Sequence, residues 1–347
     1  VNIIFITQSV DEQDPLWATS AQWIKRMSLQ TEVESLNVIT LRSGSHFLSD
    51  NIKIIKVGHR FRIFTLLLFL LAIIKTLRSS NLYFIHGGGP YAIILQPIRA
   101  IGRKRVVQWW THHVLSTQMK FQTRWCLDLI FTATPSSFTG RTEKLRVVGH
   151  GIDTNLFSPK TTDIPPSGIV SAGRISPVKR LELILNLTHQ FKLKYGYVPS
   201  VSIYGPHTDK DYFEKLQTQT SSLQLKSSIS FHGPIPHGAL PDIYSEKQIF
   251  VSYSETALDK ALLEAMACGL PVISTNKRLA EILPNDLKEI IILDPKDPKS
   301  HVDKLDYIFS LSKNDKDRLG DKIREFIIKQ HSIDHLFDSI FYHLNNR

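Results

Sequence analysis

At 347 residues the chain exceeds one ordinary hydrophobic core, and two domains of about 150–180 residues each are the natural expectation. Apolar residues make up 42% and charged residues 21%, which excludes a disordered or fibrous chain; the two cysteines, Cys126 and Cys268, exclude a disulfide framework and suit a reducing, cytoplasmic compartment. The formal net charge of +10 lies wholly in the first half: residues 1–150 carry 18 Lys/Arg against 8 Asp/Glu, and residues 151–347 carry 24 of each, so the first half is expected to meet phospholipid, nucleic acid or a phosphorylated acceptor.

In chain order, Asn2-Ile3-Ile4-Phe5-Ile6-Thr7 reads as a buried strand followed by acids, not as an export signal, which would open with basic residues. Further apolar runs predict strands at 36–41, 52–57, 82–86, 106–111, 129–132 and 145–148, with helices at 20–30 and 60–77. The longest apolar run, 63–74, is shorter than the about 20 residues of a spanning helix. It reads first as a buried helix of the sheet layer. Its flanks, Arg60, Arg62, Lys75 and Arg78, offer peripheral membrane contact as the alternative.

A Pro-, Thr- and Ser-rich stretch at 157–167 marks a domain boundary. Strands follow at 168–172, 200–204, 229–232, 249–253, 271–274 and 289–293, with helices at 181–195 and 211–217. Continuous apolar strands separated by helices indicate parallel sheets covered on both faces. The fold class is therefore α/β, with two doubly wound, Rossmann-like domains facing a cleft and ligands beyond the carboxyl ends of the strands. The expected division is 1–156 and 157–325 for the two domains, and 326–347 as a C-terminal helix packing back on the first.

Two loops carry chemistry. Gly173-Arg174-Ile175-Ser176-Pro177-Val178-Lys179 follows a strand; its glycine lets backbone approach a ligand, and its two cations can converge on a diphosphate. Each cation is expected to be removable without loss of folding. Residues 255–260, including Glu255, Thr256, Ala257 and Leu258, are expected to form a helix N-terminus whose unpaired N–H groups favour a phosphate. Glu264 lies inside that helix among apolar neighbours; a buried carboxylate needs a partner, and a ribose diol would serve.

The Gly173-Arg174…Lys179 loop, together with Glu264-Ala265-Met266-Ala267-Cys268-Gly269-Leu270-Pro271-Val272-Ile273, resembles group 1 glycosyltransferases, family 4 of the sequence classification. His150-Gly151-Ile152-Asp153 resembles that family's interdomain connection, and Phe231-His232-Gly233-Pro234-Ile235 the strand and loop flanking its nucleotide base. The resemblance implies a GT-B fold, a nucleotide-sugar donor in the second domain, an acceptor bound mainly by the first, retention of configuration and no required metal or other cofactor. By the same resemblance Arg174 and Lys179 contact the donor diphosphate, Glu264 the ribose, Gly173, Pro234 and Ile235 line the donor, and His112 faces the reacting centre. His86, Gly87 and Gly88 are assigned to the acceptor side, with a tight structural turn as the alternative. Two departures stand out: Thr256 occupies the place of the family's second acid, and the loop after the first strand lacks the family's two glycines.

No phosphate-loop motif of a dinucleotide oxidoreductase or a P-loop enzyme is present, and Asp209-Lys210-Asp211 and Asp315-Lys316-Asp317 read as solvated surface, not metal ligands. Asp153 reads as the cap of the turn that follows it. The expected protein is a metal-independent transferase acting on a lipid-linked or other anionic acceptor, peripheral on the inner face of a membrane and without nucleic acid. A sugar-nucleotide epimerase and a non-catalytic homologue serving as a docking subunit are the alternatives.

Overall fold

The computed structural model describes the chain except residues 13, 15, 16, 47, 50, 103, 113, 114, 256 and 347 and the side chain of Ala18. It divides into two compact units, Val1–Gly151 with Ile333–Arg347, and Ile152–Ser332. The boundaries thus fall at 151/152 and 332/333, where the sequence suggested 156/157 and 325/326. The second displacement has a simple cause: the helix that spans 326 runs unbroken to His331.

The first unit builds β1 (Asn2–Val10), α1 (Ala18–Ser28), β2 (Ser35–Ser43), β3 (Lys53–Lys56), α2 (Arg62–Thr76), β4 (Leu82–His86), α3 (Tyr91–Gly102), β5 (Arg105–Trp109), α4 (Thr117–Trp125), β6 (Leu129–Thr132) and β7 (Leu145–Val147). Its seven strands are all parallel, in the order β3-β2-β1-β4-β5-β6-β7. Alternate strand residues point to opposite faces. Phe5, Val38, Phe84, Val107 and Phe131 face one core, and Ile4, Ile6, Ile39, Ile85 and Val106 face the other.

The first face is closed by α1 and by the C-terminal helix, Ile333–Asn345, which supplies Ile333, Leu336, Phe337, Ile340, Phe341 and Leu344 at helical spacing. Each such burial stabilises the unit by about 1.5–3 kcal/mol. On the other face α2 buries only Phe69, Ala72, Ile73 and Thr76. The 63–74 run is therefore not the buried helix that its hydropathy suggests. It is apolar around its whole circumference, so no periodicity marks which stripe packs. No described helix is long and apolar enough to cross a membrane.

The second unit builds β8 (Ile169–Ala172), α5 (Leu181–Tyr195), β9 (Val201–Tyr204), α6 (Lys210–Ser222), β10 (Ile229–Gly233), α7 (Leu240–Ser245), β11 (Ile249–Ser252), α8 (Lys260–Ala267), β12 (Val272–Ser274), α9 (Lys277–Ile282), α10 (Asn285–Ile291), α11 (Pro298–Ser310) and α12 (Lys313–His331); the C-terminal helix of the first unit is α13. Its five strands are parallel, in the order β10-β9-β8-β11-β12. The strand expected at 289–293 is instead the end of α10. Leu287 and Ile291 lie one turn apart and bury one stripe, and only Ile292 bridges to Ser274. Asp153 accepts from the amides of Asn155 and Leu156 at 3.1 and 3.0 Å, the turn cap read from its sequence.

Candidate functional site

In the second unit β8 and β11 are neighbours whose connections leave toward opposite edges of the sheet. The crevice beyond their carboxyl ends is the switch point at which such sheets bind ligands. At the end of β8, Gly173 has φ +123 and its amide donates to the Tyr204 carbonyl at 2.9 Å. Gly205, at φ +141, packs so closely that a Cβ there would lie 2.0 Å from the Gly173 carbonyl oxygen. Only glycine fits either place.

The turn Pro177–Lys179 then folds the Lys179 ammonium back over this backbone. Its Nζ lies 2.8 and 2.9 Å from the two carboxylate oxygens of Asp259, and the Ser252 hydroxyl donates to the same carboxylate at 2.8 Å. The pair is nearly enclosed, with side chains 17% and 5% exposed, and it ties the β8 loop to the β11 loop. Lys179 is therefore a structural cation as well as a candidate ligand, contrary to the expectation that its removal leaves folding intact. Arg174 is the reverse: exposed, and without an ion-pair partner among the described residues.

The Asp259 carboxylate is engaged by Lys179, so α8 begins at Lys260 with no side-chain cap. Glu255, Ala257 and Leu258 precede the helix and do not form its first turn, which corrects for them the reading of 255–260 as the helix N-terminus. Asn276 holds this loop, its Nδ2 donating to the carbonyls of Ser254 and Ala257 at 3.0 and 3.1 Å. Glu255 is exposed and pairs with Arg180, Ala257 is half-buried and Leu258 buried; Thr256 lies outside the described residues.

Glu264 is buried, and its Oε1 meets His237 Nε2 at 2.7 Å and Lys260 Nζ at 3.3 Å. Burial pushes this carboxyl upward, but Lys260 and His237 outweigh it and hold it below the usual carboxylate range. No described residue engages Oε2. The His237 ring sits 5.0 Å from Phe157. Pro234 is exposed and Ile235 half-buried, both just past the carboxyl end of β10.

In the first unit the glycine turn after β4 is also at a switch point, between β1 and β4. Its carbonyls are held by glutamine amides: Gln108 on Gly87 at 2.8 Å, Gln8 on Gly88 at 3.3 Å and Gln122 on Gly89 at 2.9 Å. The His86 ring turns inward, 8% exposed, against Trp23 at 4.7 Å and with Nδ1 3.1 Å from the Ser20 hydroxyl. What the turn presents outward is Gly87–Gly88 backbone. His112 is exposed beyond the end of β5 and stacks edge-on against Trp110, whose ring a Cβ on Gly88 would meet at 3.7 Å.

Asp259 and His237 are partners of Lys179 and Glu264 that the sequence does not reveal. Asp259 is 80 residues from Lys179 and His237 is 27 from Glu264, separations that no local pattern registers. Asp209 caps α6, accepting from the Tyr212 amide at 2.9 Å, and Asp315 accepts from the Ser312 hydroxyl at 2.6 Å. Among the described residues no group of three or more His, Cys, Asp or Glu side chains is placed to hold a metal ion.

Residues 157–326 match the family described as Glycosyl transferases group 1. That match falls within the second unit, Ile152–Ser332. The chain is 30% identical over 143 residues to the amylovoran biosynthesis glycosyltransferase AmsK of Erwinia amylovora, covering 38% of this chain and 34% of that protein. It is 24% identical over 215 residues to spore coat protein SA of Bacillus subtilis, covering 56% of each. The chain thus spans about a third to just over half of the length of these curated relatives. Across its whole length it superposes on the Anabaena HepE structure in complex with UDP, with a TM-score of 0.79, 15% identity and full coverage of both chains. The chain has the GT-B fold, two Rossmann-like domains.

Proposed function

We propose that the chain is a retaining family 4 glycosyltransferase that moves a sugar from a nucleotide-sugar to a lipid-linked or other anionic acceptor, without a required metal. The observation that carries this reading is the switch point of the second unit. Close-packed glycine backbone, an exposed, unpaired arginine and a lysine fixed by Asp259 follow β8 there, and a buried, ionised glutamate lies on the helix that follows β11. Arg174 supplies uncompensated charge to the donor diphosphate as the leaving group develops it, where preorganised donors act most. Lys179, already neutralised by Asp259, adds a fixed donor and not net charge. Glu264 accepts a ribose hydroxyl through Oε2, while His237 and Lys260 keep the carboxylate ionised. Pro234 and Ile235 flank the base, and Gly87, Gly88 and His112 face the acceptor.

HepE is solved with UDP, which places UDP first in a thermal-shift screen against GDP and ADP and their sugars. Nucleotide release that requires an acceptor and persists in EDTA supports transfer. Interconversion of donor sugars without acceptor would instead indicate an epimerase. No nucleotide-induced shift would refute the donor site.

A further inference from the structure

Helix α2 carries a surface that packing does not explain. Ile63, Leu67, Leu71 and Ile74 lie at successive turns of one stripe and are 60, 47, 52 and 66% exposed. Phe64 and Leu70 widen that stripe. The opposite stripe, Phe69, Ala72, Ile73 and Thr76, packs on the sheet, with Phe69 5.3 Å from the Tyr91 ring of α3. An exposed apolar face of this extent marks a partner or a membrane, not an ordinary solvated helix.

The charge around it identifies the partner. Residues 51–127 contain five lysines and seven arginines and neither an aspartate nor a glutamate. Arg60 and Arg62 stand at the N-terminal end of α2, and Lys75 and Arg78 at its C-terminal end. A protein partner would have to be both apolar and acidic; an anionic bilayer interface is both by construction. At 15 residues α2 is about 22 Å long, short of the roughly 30 Å hydrocarbon core. Helices α3 and α4 share its face of the sheet and add exposed Ile101, Phe121 and Trp125, the last with the Arg124 guanidinium 5.0 Å from its ring. Aromatic and basic side chains of this kind favour the headgroup boundary.

We infer that α2 lies flat in the interface of an anionic bilayer, with Ile63, Leu67, Leu71 and Ile74 among the acyl chains and the flanking arginines and lysines on the headgroups. The inference deepens the proposed lipid-linked acceptor, since it brings the first unit to the surface where such an acceptor resides.

The test is vesicle co-sedimentation of the full chain, with phosphatidylcholine alone and with phosphatidylcholine plus phosphatidylglycerol. The wild type is expected to bind the anionic vesicles at least about tenfold more tightly than the neutral ones, weakening as salt rises. The pair Leu67→Glu and Leu71→Glu should lower that binding by a further factor of about ten or more. In a separate Leu67→Trp variant, whose native tryptophans serve as the wild-type blank, the added emission should be quenched by lipids brominated on the acyl chain. The thermal shift induced by nucleotide is followed in each variant. It reports folding and donor binding independently, so loss of membrane binding with an intact shift is attributable to α2 alone. Vesicle binding unchanged by the glutamates, or an added indole that stays unquenched in the bound protein, would overturn the inference. So would a wild type that ignores anionic vesicles while the glutamates abolish self-association, which would make the face a contact between copies.

Discussion

Lys179→Met should cost the second unit about 3 kcal/mol. The substitution keeps the aliphatic stem and removes the ammonium, leaving the Asp259 carboxylate, 5% exposed, with the Ser252 hydroxyl as its remaining partner. Breaking a buried pair costs about 3–5 kcal/mol, and the 17% exposure of the lysine side admits enough water to place the cost at the low end. For a unit of this size, with about 2–4 °C of Tm per kcal/mol, the midpoint should fall by about 6–12 °C. The double variant Lys179→Met with Asp259→Asn removes both charges and should recover most of the loss. All five tryptophans lie in the first unit, so their emission follows that unit alone while far-UV circular dichroism follows both. The transition present in the dichroism and absent from the fluorescence is the one to watch. A midpoint for Lys179→Met within about 2 °C of wild type, or a double variant as unstable as the single, would show that the ion pair does not bear on folding.

Arg174→Ala should separate the two roles cleanly: exposed and unpaired, it should alter stability by no more than about 0.5 kcal/mol, yet lower turnover by about two to three orders of magnitude if it stabilises the leaving group. Glu264 has a folded pKa below its unfolded value, so its contribution is present above the ordinary carboxylate range and lost as pH falls through the lowered value; the Tm gap between wild type and Glu264→Gln should narrow as pH is taken from 7 to below about 4, and a gap that widens on acidification would contradict the assignment. Gly205→Ala places a Cβ 2.0 Å from the Gly173 carbonyl at φ +141 and should destabilise the second unit by at least about 3 kcal/mol, read from the same dichroism transition.

Much of the sheet architecture is legible in the sequence because the central strands are short, mostly apolar runs. The strands at 82–86 and 129–132 and the helix at 181–195 coincide with β4, β6 and α5. The failures have local causes. At 289–293 apolar residues are contiguous, but Leu287 and Ile291 bury a helical stripe that a short run cannot distinguish from a strand. In α2 hydropathy measures transfer out of water, not whether a neighbour is there to receive the side chain. At the site, residue types and loops are legible, while the pairings are not. Lys179 with Asp259 and Glu264 with His237 are tertiary contacts, and they change what each residue is for.

The return of α13 to the first sheet makes the first unit a discontinuous one, with the second unit inserted into it. On a ribosome, residues 1–151 emerge with α1 in place but the α13 positions of that face still unbuilt. At about 5–20 residues per second, the intervening stretch takes roughly 10–40 s to synthesise. The inserted domain has a contiguous chain and can complete its fold in that interval; the first unit must wait with an apolar face open to other chains or to chaperones. Residues 152–332, not 1–151, are therefore the part expected to stand alone when excised.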